Sequence, residues 1–507
     1  MKLRVSAAAV VAAATLALTA CGSGTGAASG QAAGPQPLTL GILTDIRSWD
    51  SSQAHVGHLL QPYQFSYDSL LLREPDGKLS PMLATKWQYN ADNTVLTMDL
   101  RTDVTFSDGT KFDAPAVKAN MDNFKKANGP QMQQLSAVKE VKALDPAKVE
   151  IDLSKPDPSL EYYMSQAAGL MESPKAIGTP EVKTGPVGSG PYIMDKATSV
   201  AGSQYVFTAN PNYWNKNLQK FSKVTLKYLQ DPTARVNAIV SGQVDGTLLD
   251  PKTGKQADGA GLKLVTNQVD WAGLLFFDRN GEVNKPLGDV RVRQAINYAI
   301  DRKQLLDTIM FGQGTPTAQV FGLASGASVD TLDNAYPYDP QKAKALLKEA
   351  GFETGVTIEV PTLPGSEALL AAVKQQLSEV GVTFNAGAAL PTTYTSDIAA
   401  KKFPAMYFQL FQGEPWVAIN QMISTKALYN PFKTTTPELQ AKIDAVETAG
   451  KDAGKAAQEV DKYVTDNAWF APFYRVNQMY YVNSKKVTVT PQIQQAVPSI
   501  YNYAPAK

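Results

Sequence analysis

The sequence predicts an α/β protein of at least two lobes, and three features lead to that class. Its 507 residues exceed what one hydrophobic core sustains, because single cores stop growing at roughly 250 to 300 residues. Hydrophobic residues make up 44%, aromatics 9% and charged residues 19%, the balance of a chain that folds rather than of a disordered or repetitive one. In the later half, Val356-Thr357-Ile358-Glu359-Val360, a helical stretch from Ser366 to Val380, and Val382-Thr383-Phe384 follow as strand, helix and strand, the order that lays helices on a sheet.

The remaining elements read off in chain order. Leu38 to Leu43 alternates as a first strand, and Asp45 to Ser52 follows as a polar loop. Leu83-Ala84-Thr85-Lys86-Trp87 leads to a turn at Ala91-Asp92-Asn93, beyond which Leu96, Met98 and Leu100 share a strand face, so a hairpin is predicted. A second turn at Asp108-Gly109 precedes Phe112. Asp113 then caps a helix with Pro115 in its first turn and Val117, Met121 and Phe124 at helical spacing. Asp289 opens a helix that runs through Ala295, Ile296, Ala299 and Ile300 towards Ile309. Asp339-Pro340 starts another through Leu346 and Leu347, which Gly351 stops.

Charge and cysteine usage remove whole classes of function. Lys plus Arg number 48 against 47 Asp plus Glu, so no basic field draws the chain to nucleic acid or to anionic lipid. The only cysteine is Cys21, which excludes an internal disulfide, a cysteine-ligated metal and a cysteine nucleophile in the folded body. No Gly-x-Ser-x-Gly turn and no phosphate-cradling glycine loop followed by Lys-Ser or Lys-Thr is present.

Lys2 and Arg4, the apolar run from Ala7 to Leu18, and small residues at Leu18-Thr19-Ala20-Cys21 follow the order of a secretory signal over residues 1–21. The Leu-Thr-Ala-Cys run resembles a bacterial lipobox, which implies acylation of the Cys21 sulfur after cleavage. Residues 22–37 are rich in Gly, Ser, Ala, Gln and Pro and uncharged, the composition of a flexible tether. No later run approaches the roughly 18 apolar residues of a membrane helix. The body is therefore expected to be extracytoplasmic and lipid-anchored to the outer face of the bacterial cell membrane.

Four segments carry a family likeness. They are Leu83 to Trp87 with Asp99-Leu100-Arg101 and Phe106-Ser107-Asp108-Gly109-Thr110; Gly188-Ser189-Gly190-Pro191-Tyr192 with Asn210-Pro211-Asn212-Tyr213-Trp214; Ser241-Gly242-Gln243-Val244-Asp245; and Asp289-Val290-Arg291-Val292-Arg293-Gln294-Ala295-Ile296 with Tyr298-Ala299-Ile300-Asp301-Arg302. In content and order they resemble the extracellular solute-binding proteins of family 5, which serve dipeptides, oligopeptides, nickel complexes and some oligosaccharides. The motifs themselves read as structural: the glycines and prolines as turns, Arg291 and Arg293 as a solvated helix face or partners of a nearby carboxylate.

The resemblance implies a two-lobed periplasmic-binding-protein fold of the Venus flytrap type, with an extra subdomain inserted in the first lobe. Residues 38–268 would form that lobe with the insertion at about 64–188, 269–481 the second lobe, and 482–507 the return. It implies a monomer that captures a small solute, foremost an oligopeptide or peptide-like molecule, and delivers it to ABC permease subunits, with no cofactor and no catalysis. Pockets between lobes are lined by aromatics and a few oriented polar groups. On that ground the ligand-binding candidates are Trp49 and Asp50 after the first strand, Trp271 after the first crossover, Tyr407, Phe408, Phe411 and Trp416 in a later loop region, and Tyr474 with Arg475 near the return crossover.

One departure bears on the ligand. Peptide receptors of the family carry an Asp a few residues before an Asp-Pro or Glu-Pro pair, where it neutralises the peptide's ammonium. Here Glu414-Pro415 matches the pair, but Phe411 stands at the aspartate's place, with Glu414 as the alternative acid. A buried ammonium without a counter-charge is costly, so an uncharged, modified or sugar-like ligand gains weight. An oligosaccharide or a nickel chelate is the alternative cargo. His55 and His58, the only histidines, would share one helical face at their i, i+3 spacing and could reach one ion, or could be a polar pair at the start of a helix. A sensor built on the same scaffold is a further reading.

Overall fold

The computed structural model describes residues 36–388 and 393–506. Cys21, its signal segment and the tether up to residue 35 lie outside the described residues. Among the described residues no helix is long and apolar enough to cross a membrane.

A nine-stranded sheet organises the body. On one side Leu38–Ile42 runs parallel to Lys223–Tyr228 and to Gly246–Leu249, and Gln204–Ala209 and Tyr192–Met194 extend the sheet antiparallel. Two long strands, the outgoing Lys263–Phe276 and the returning Phe470–Val482, pair antiparallel. Their outer ends serve different neighbours. Leu249 to Gly246 pairs with Met479 to Val482, whereas Ala405–Phe411 pairs with Asp270 to Phe276. One pair of strands therefore links the two halves of the sheet.

The register of that pair breaks between Gln268 and Asp270, and polar side chains gather at the break. Gln268 Nε2 donates to Thr315 Oγ1 at 2.7 Å and to Asn477 Oδ1 at 2.9 Å. Asp270 Oδ2 accepts from Gln409 Nε2 and Gln478 Nε2, both at 2.9 Å. A bulge concentrates bend and twist, so the two long strands bend here.

A separate antiparallel sheet, ordered Ala84–Tyr89, Val95–Leu100, Lys148–Leu153, Val138–Asp145, carries the predicted hairpin. Leu96, Met98 and Leu100 point into a core shared with Val117, Met121 and Phe124 of the helix Ala114–Lys126. Asp113 caps that helix by accepting from the Ala116 amide at 2.9 Å. On the far side of the bulge, Val356–Thr362 and Val382–Ala388 run parallel with helix Glu367–Ser378 between them, as expected from the sequence.

The single helix expected from Asp289 to Ile309 is two, Val290–Tyr298 and Arg302–Ile309. Asp301 interrupts it by accepting from the Gln304 amide at 2.9 Å, which caps a new helix, and Arg302 takes the Asn297 carbonyl at 3.1 Å. Apolar periodicity carried through the break and hid it. The loop region expected around Tyr407 is instead the strand Ala405–Phe411.

The shared motifs brace the fold. Asp68, fully buried, accepts from Ser189 Oγ, Tyr213 Oη and Trp214 Nε1, each at 2.9 Å, and from Tyr501 Oη at 3.3 Å. Gly188 and Gly190 let that loop run against Ser66, whose backbone would lie 2.0 Å and 2.5 Å from added Cβ atoms. Arg291 forks onto Asp289, with Nε 3.0 Å from one oxygen and Nη2 2.6 Å from the other. Arg293 does not reach a solvated face: it is buried and donates to the carbonyls of Leu287, Asn467 and Ala468.

Candidate functional site

Beside the bulge, the two halves of the body meet along a seam built by short local devices. Arg73 ends the strand Leu71–Arg73, which pairs antiparallel with Leu79–Pro81, and its side chain is buried. Its Nη2 donates to Gln494 Oε1 at 2.5 Å, and its guanidinium lies 5.1 Å from the Tyr162 ring centre. Gln494 Nε2 reaches across to the Ala324 carbonyl at 3.4 Å. From the same C-terminal segment, Gln492 donates to the Arg73 carbonyl at 3.1 Å.

The opposite wall follows the strand Ala405–Phe411. The Gln412 amide bonds the Val269 carbonyl, and its own carbonyl accepts from Gly322 N, each at 3.0 Å. A side chain at Gly322 would drive Cβ to 2.8 Å from that carbonyl, so the two segments touch only because residue 322 is glycine. Glu414 precedes the helical turn Pro415–Ala418 without capping it, which frees its carboxylate to face Ser159, whose Oγ is 3.5 Å away. The chain continues as a π turn over Ile419–Ile423, a form that recurs at functional sites. Lys155 closes the outer rim by pairing with Glu447 and sits 5.6 Å above the Trp416 ring.

The electrostatics of the seam are unusual. Burial pushes the Glu414 carboxyl up to about 7, against the pull of Arg73 and the Ser159 bond. Burial lowers the Arg73 guanidinium, with Tyr162 and Glu414 opposing. The two charges feel each other without forming an ion pair. Arg73 Nη1, both amide atoms of Gln412, Gln495 Nε2 and Trp271 Nε1 are buried with no hydrogen-bond partner among the described residues. Each such orphan costs about 1–3 kcal/mol, and buried polar groups are rarely left so. The arrangement can bind charged and amide groups; it holds no paired nucleophile and base.

The sequence-nominated residues are spread over several parts of the fold. Trp271, fully buried, meets Phe470 at 5.7 Å between ring centres and shares a core with Trp416. Phe411, half-buried, folds its ring over Gly413, which any Cβ there would strike. Those three flank the seam. Tyr407 stacks on Phe473 at 6.3 Å, and Tyr474 lies in the same core; Phe408 packs at 4.7 Å on Tyr429. Trp49 is walled in by Tyr63, Tyr205 and Phe207, and Asp50 caps the turn Ser51–Gln53 through Ser52. Arg475 is fully buried and bound to Asp333 and to the Phe321 carbonyl.

His55 is exposed and its Nδ1 accepts from the Val56 amide at 3.0 Å; the turn that follows is a single 3₁₀ turn over Gly57–Leu59. The helical face expected for His55 and His58 is thus absent from the backbone. Sequence reading passed over Arg73, Gln412 and Gln494. The signals were present: one arginine closing the apolar run Leu70-Leu71-Leu72, and glutamine repeated over Gln492 to Gln495.

Comparison with known proteins adds the lineage. The family described as bacterial extracellular solute-binding proteins, family 5 (middle), matches residues 78–427, more than half of the chain. The chain belongs to this family. Among its solute-binding relatives is the glutathione-binding protein GsiB of Escherichia coli O1:K1, 29% identical over 329 residues that cover 62% of each chain. Another is the nickel-binding periplasmic protein of Escherichia coli K12, 30% identical over 323 residues and 58% of each. The chain thus spans under two thirds of the length of these relatives. Two solved solute-binding proteins share the two-lobed fold. CtaP of Listeria monocytogenes superposes with a TM-score of 0.79 at 20% identity, covering 93% of this chain and 100% of that one. DppA of Helicobacter pylori, in complex with the peptide STSA, gives 0.76 at 18%, covering 93% and 98%.

Proposed function

We propose that this solute-binding protein is the capture component of an ABC importer: it closes two lobes over a small solute, an oligopeptide or peptide-like molecule, and presents it to a membrane permease without chemically altering it. The observation that carries the reading is the seam itself, where orphaned buried polar atoms from both walls lie beside a two-strand hinge. A ligand that touches both walls favours the closed state by that differential contact. The lobes would run over 38–268, with the insertion at about 64–188, and 269–481, with 482–507 returning. Cys21 would carry the lipid that holds a monomeric body at the outer face of the cell membrane, and Trp271, Phe411 and Trp416 would flank the ligand.

The peptide cargo is supported by relatives named for glutathione and by a neighbour solved with a peptide. The nickel-binding relative supports a metal chelate as the second reading. Native and denaturing mass spectrometry of protein purified from Gly22 onward, without denaturation, tests both. A retained peptide or peptide conjugate supports the first reading; a retained sugar or metal chelate replaces it. Mass change of the ligand on incubation would overturn binding without turnover.

A further inference from the structure

Away from the seam, two buried arginines act on each other with too little negative charge to balance them. Arg279 is 4% exposed, and its guanidinium lies 3.9 Å from the centre of the Trp469 ring. Nη1 donates to the Phe276 carbonyl and Nη2 to Asn430 Oδ1 at 3.4 Å, whereas Nε is buried with no hydrogen-bond partner among the described residues. Arg293, also buried, is near enough to repel it and donates to the backbone carbonyls of Leu287, Asn467 and Ala468. The acids nearby are already committed. Asp278 spends Oδ1 on the Glu282 amide at 2.7 Å and Oδ2 on the amides of Val283 and Asn284 at 2.8 and 2.7 Å, and Asp289 is forked by Arg291. Burial and then Arg293 hold the Arg279 guanidinium well below its ordinary value, with Asp278 opposing, yet an arginine keeps its proton inside a protein.

Two more donors are left over beside it. The fully buried Asn430 accepts from the Thr434 amide at 3.1 Å and donates to the carbonyls of Ser424 at 3.3 Å and Thr434 at 2.9 Å. The hydroxyls of Ser424 and Thr434 are buried and, like Arg279 Nε, have no partner among the described residues. All three groups thus belong to residues that bond one side chain, Asn430. We propose that Arg279 Nε, with the Ser424 and Thr434 hydroxyls, forms an internal site for a single chloride ion. The chemistry selects that class. A buried charge without a counter-charge is costly, and water would satisfy the donors but leave the charge unbalanced. Carboxylates and phosphates take two parallel bonds from an arginine fork; both terminal nitrogens of Arg279 are engaged, so one N–H remains, which suits a one-atom anion. The inference goes beyond solute capture and does not depend on which solute the protein carries.

Thermal unfolding of the full chain in detergent tests the site, with sodium chloride replacing sodium gluconate stepwise at constant ionic strength; the gluconate anion is too large for a one-atom site. The melting temperature is expected to rise by about 1–3 °C for each tenfold increase in chloride once the site begins to fill. Arg279→Met removes the charge and keeps an apolar side chain. It should abolish the rise, and in gluconate alone it should melt above the unmodified chain, because no unbalanced charge is then buried. Crystals grown in sodium bromide should show an anomalous scatterer within hydrogen-bond reach of Arg279 Nε. Equal melting of the unmodified chain in the two salts overturns the site, as does a chloride effect that persists in Arg279→Met. Ordered water with no anomalous signal beside Nε overturns it as well. The salt exchange and the bromide crystals use the unmodified chain, so a variant that fails to fold does not shield the proposal.

Discussion

The Arg475 guanidinium grips Asp333 with both prongs, Nη1 2.9 Å from Oδ2 and Nη2 2.7 Å from Oδ1. The arginine is fully buried, and Nη2 also takes the Phe321 carbonyl at 3.2 Å. It ties the returning strand to the Phe321-Gly322 segment that lines the seam. Removing one partner of a buried pair leaves the other charge uncompensated, at about 3–5 kcal/mol. Asp333→Asn is expected to lower the unfolding free energy by about that amount, read as a lower urea midpoint with an unchanged slope, because the fold's surface exposure on unfolding stays the same.

Asp68 supplies a second stability test, with a pH signature. Its carboxyl is pushed up to about 6 by burial, against the pull of four hydrogen bonds. A folded value above the unfolded one means that protonation favours the fold: this contribution is full below about pH 4 and is lost as pH rises through about 6. Asp68→Asn sets an amide donor against hydroxyl and indole donors. It should cost about 2–3 kcal/mol and flatten the stability slope between those pH values, which thermal unfolding across a pH series would reveal. An unchanged slope would assign the titration elsewhere, to Glu172 or Asp157, whose carboxyls burial also raises to about 7 and 6.

Ligand affinity should depend on pH through Glu414. The groups facing it are Arg73, Ser159 and Asp157, with Tyr162 and Tyr163 packed alongside and feeling its charge. Burial pushes the Glu414 carboxyl up to about 7, and a protonated amine pairs only with its ionised form. Below that value binding must expel a proton, so affinity for free tripeptides should fall about tenfold per pH unit and level off above about 8. Glu414→Gln should abolish the dependence in calorimetric titrations at pH 6, 7 and 8.

Lys155 pairs with Glu447 at the rim of the seam. Exposed pairs contribute about 0–1 kcal/mol to stability, yet on the two-lobe closure proposed above this one would form only while the lobes touch. Lys155→Met is expected to leave the melting temperature almost unchanged and to raise the fraction of open molecules without ligand, seen as a larger radius of gyration in small-angle scattering. A compact, unaltered profile would show that the seam alone holds the lobes together.

Local chemistry wrote the elements into the sequence. Asp113 followed by Pro115, Asp339-Pro340 with Gly351, and Leu96, Met98 and Leu100 at alternate positions act within a few residues, so their outcome is legible from the chain. The four motifs carried the family for the same reason: close packing at Gly188 and Gly190 and the hydrogen bonds to Asp68 tolerate few substitutes. The break at Asp301 was not legible, because apolar spacing continues through it and only Arg302's reach to Asn297 and to strand carbonyls such as Pro472 decides the turn.

The seam was decided by tertiary structure alone. Arg73, Gln412, Glu414 and Gln494 lie up to 421 positions apart and share no pattern; two crossing strands and a glycine at 322 bring them together. The aromatics that the sequence nominated divide for a related reason. Burial attracts large rings to cores as readily as to ligands, and nothing in the residue type says which: Trp49 lies in a core away from the seam, whereas Trp271 and Trp416 lie in a core that borders it. A polar side chain sealed from water without a partner records the difference, and that is a property of the fold.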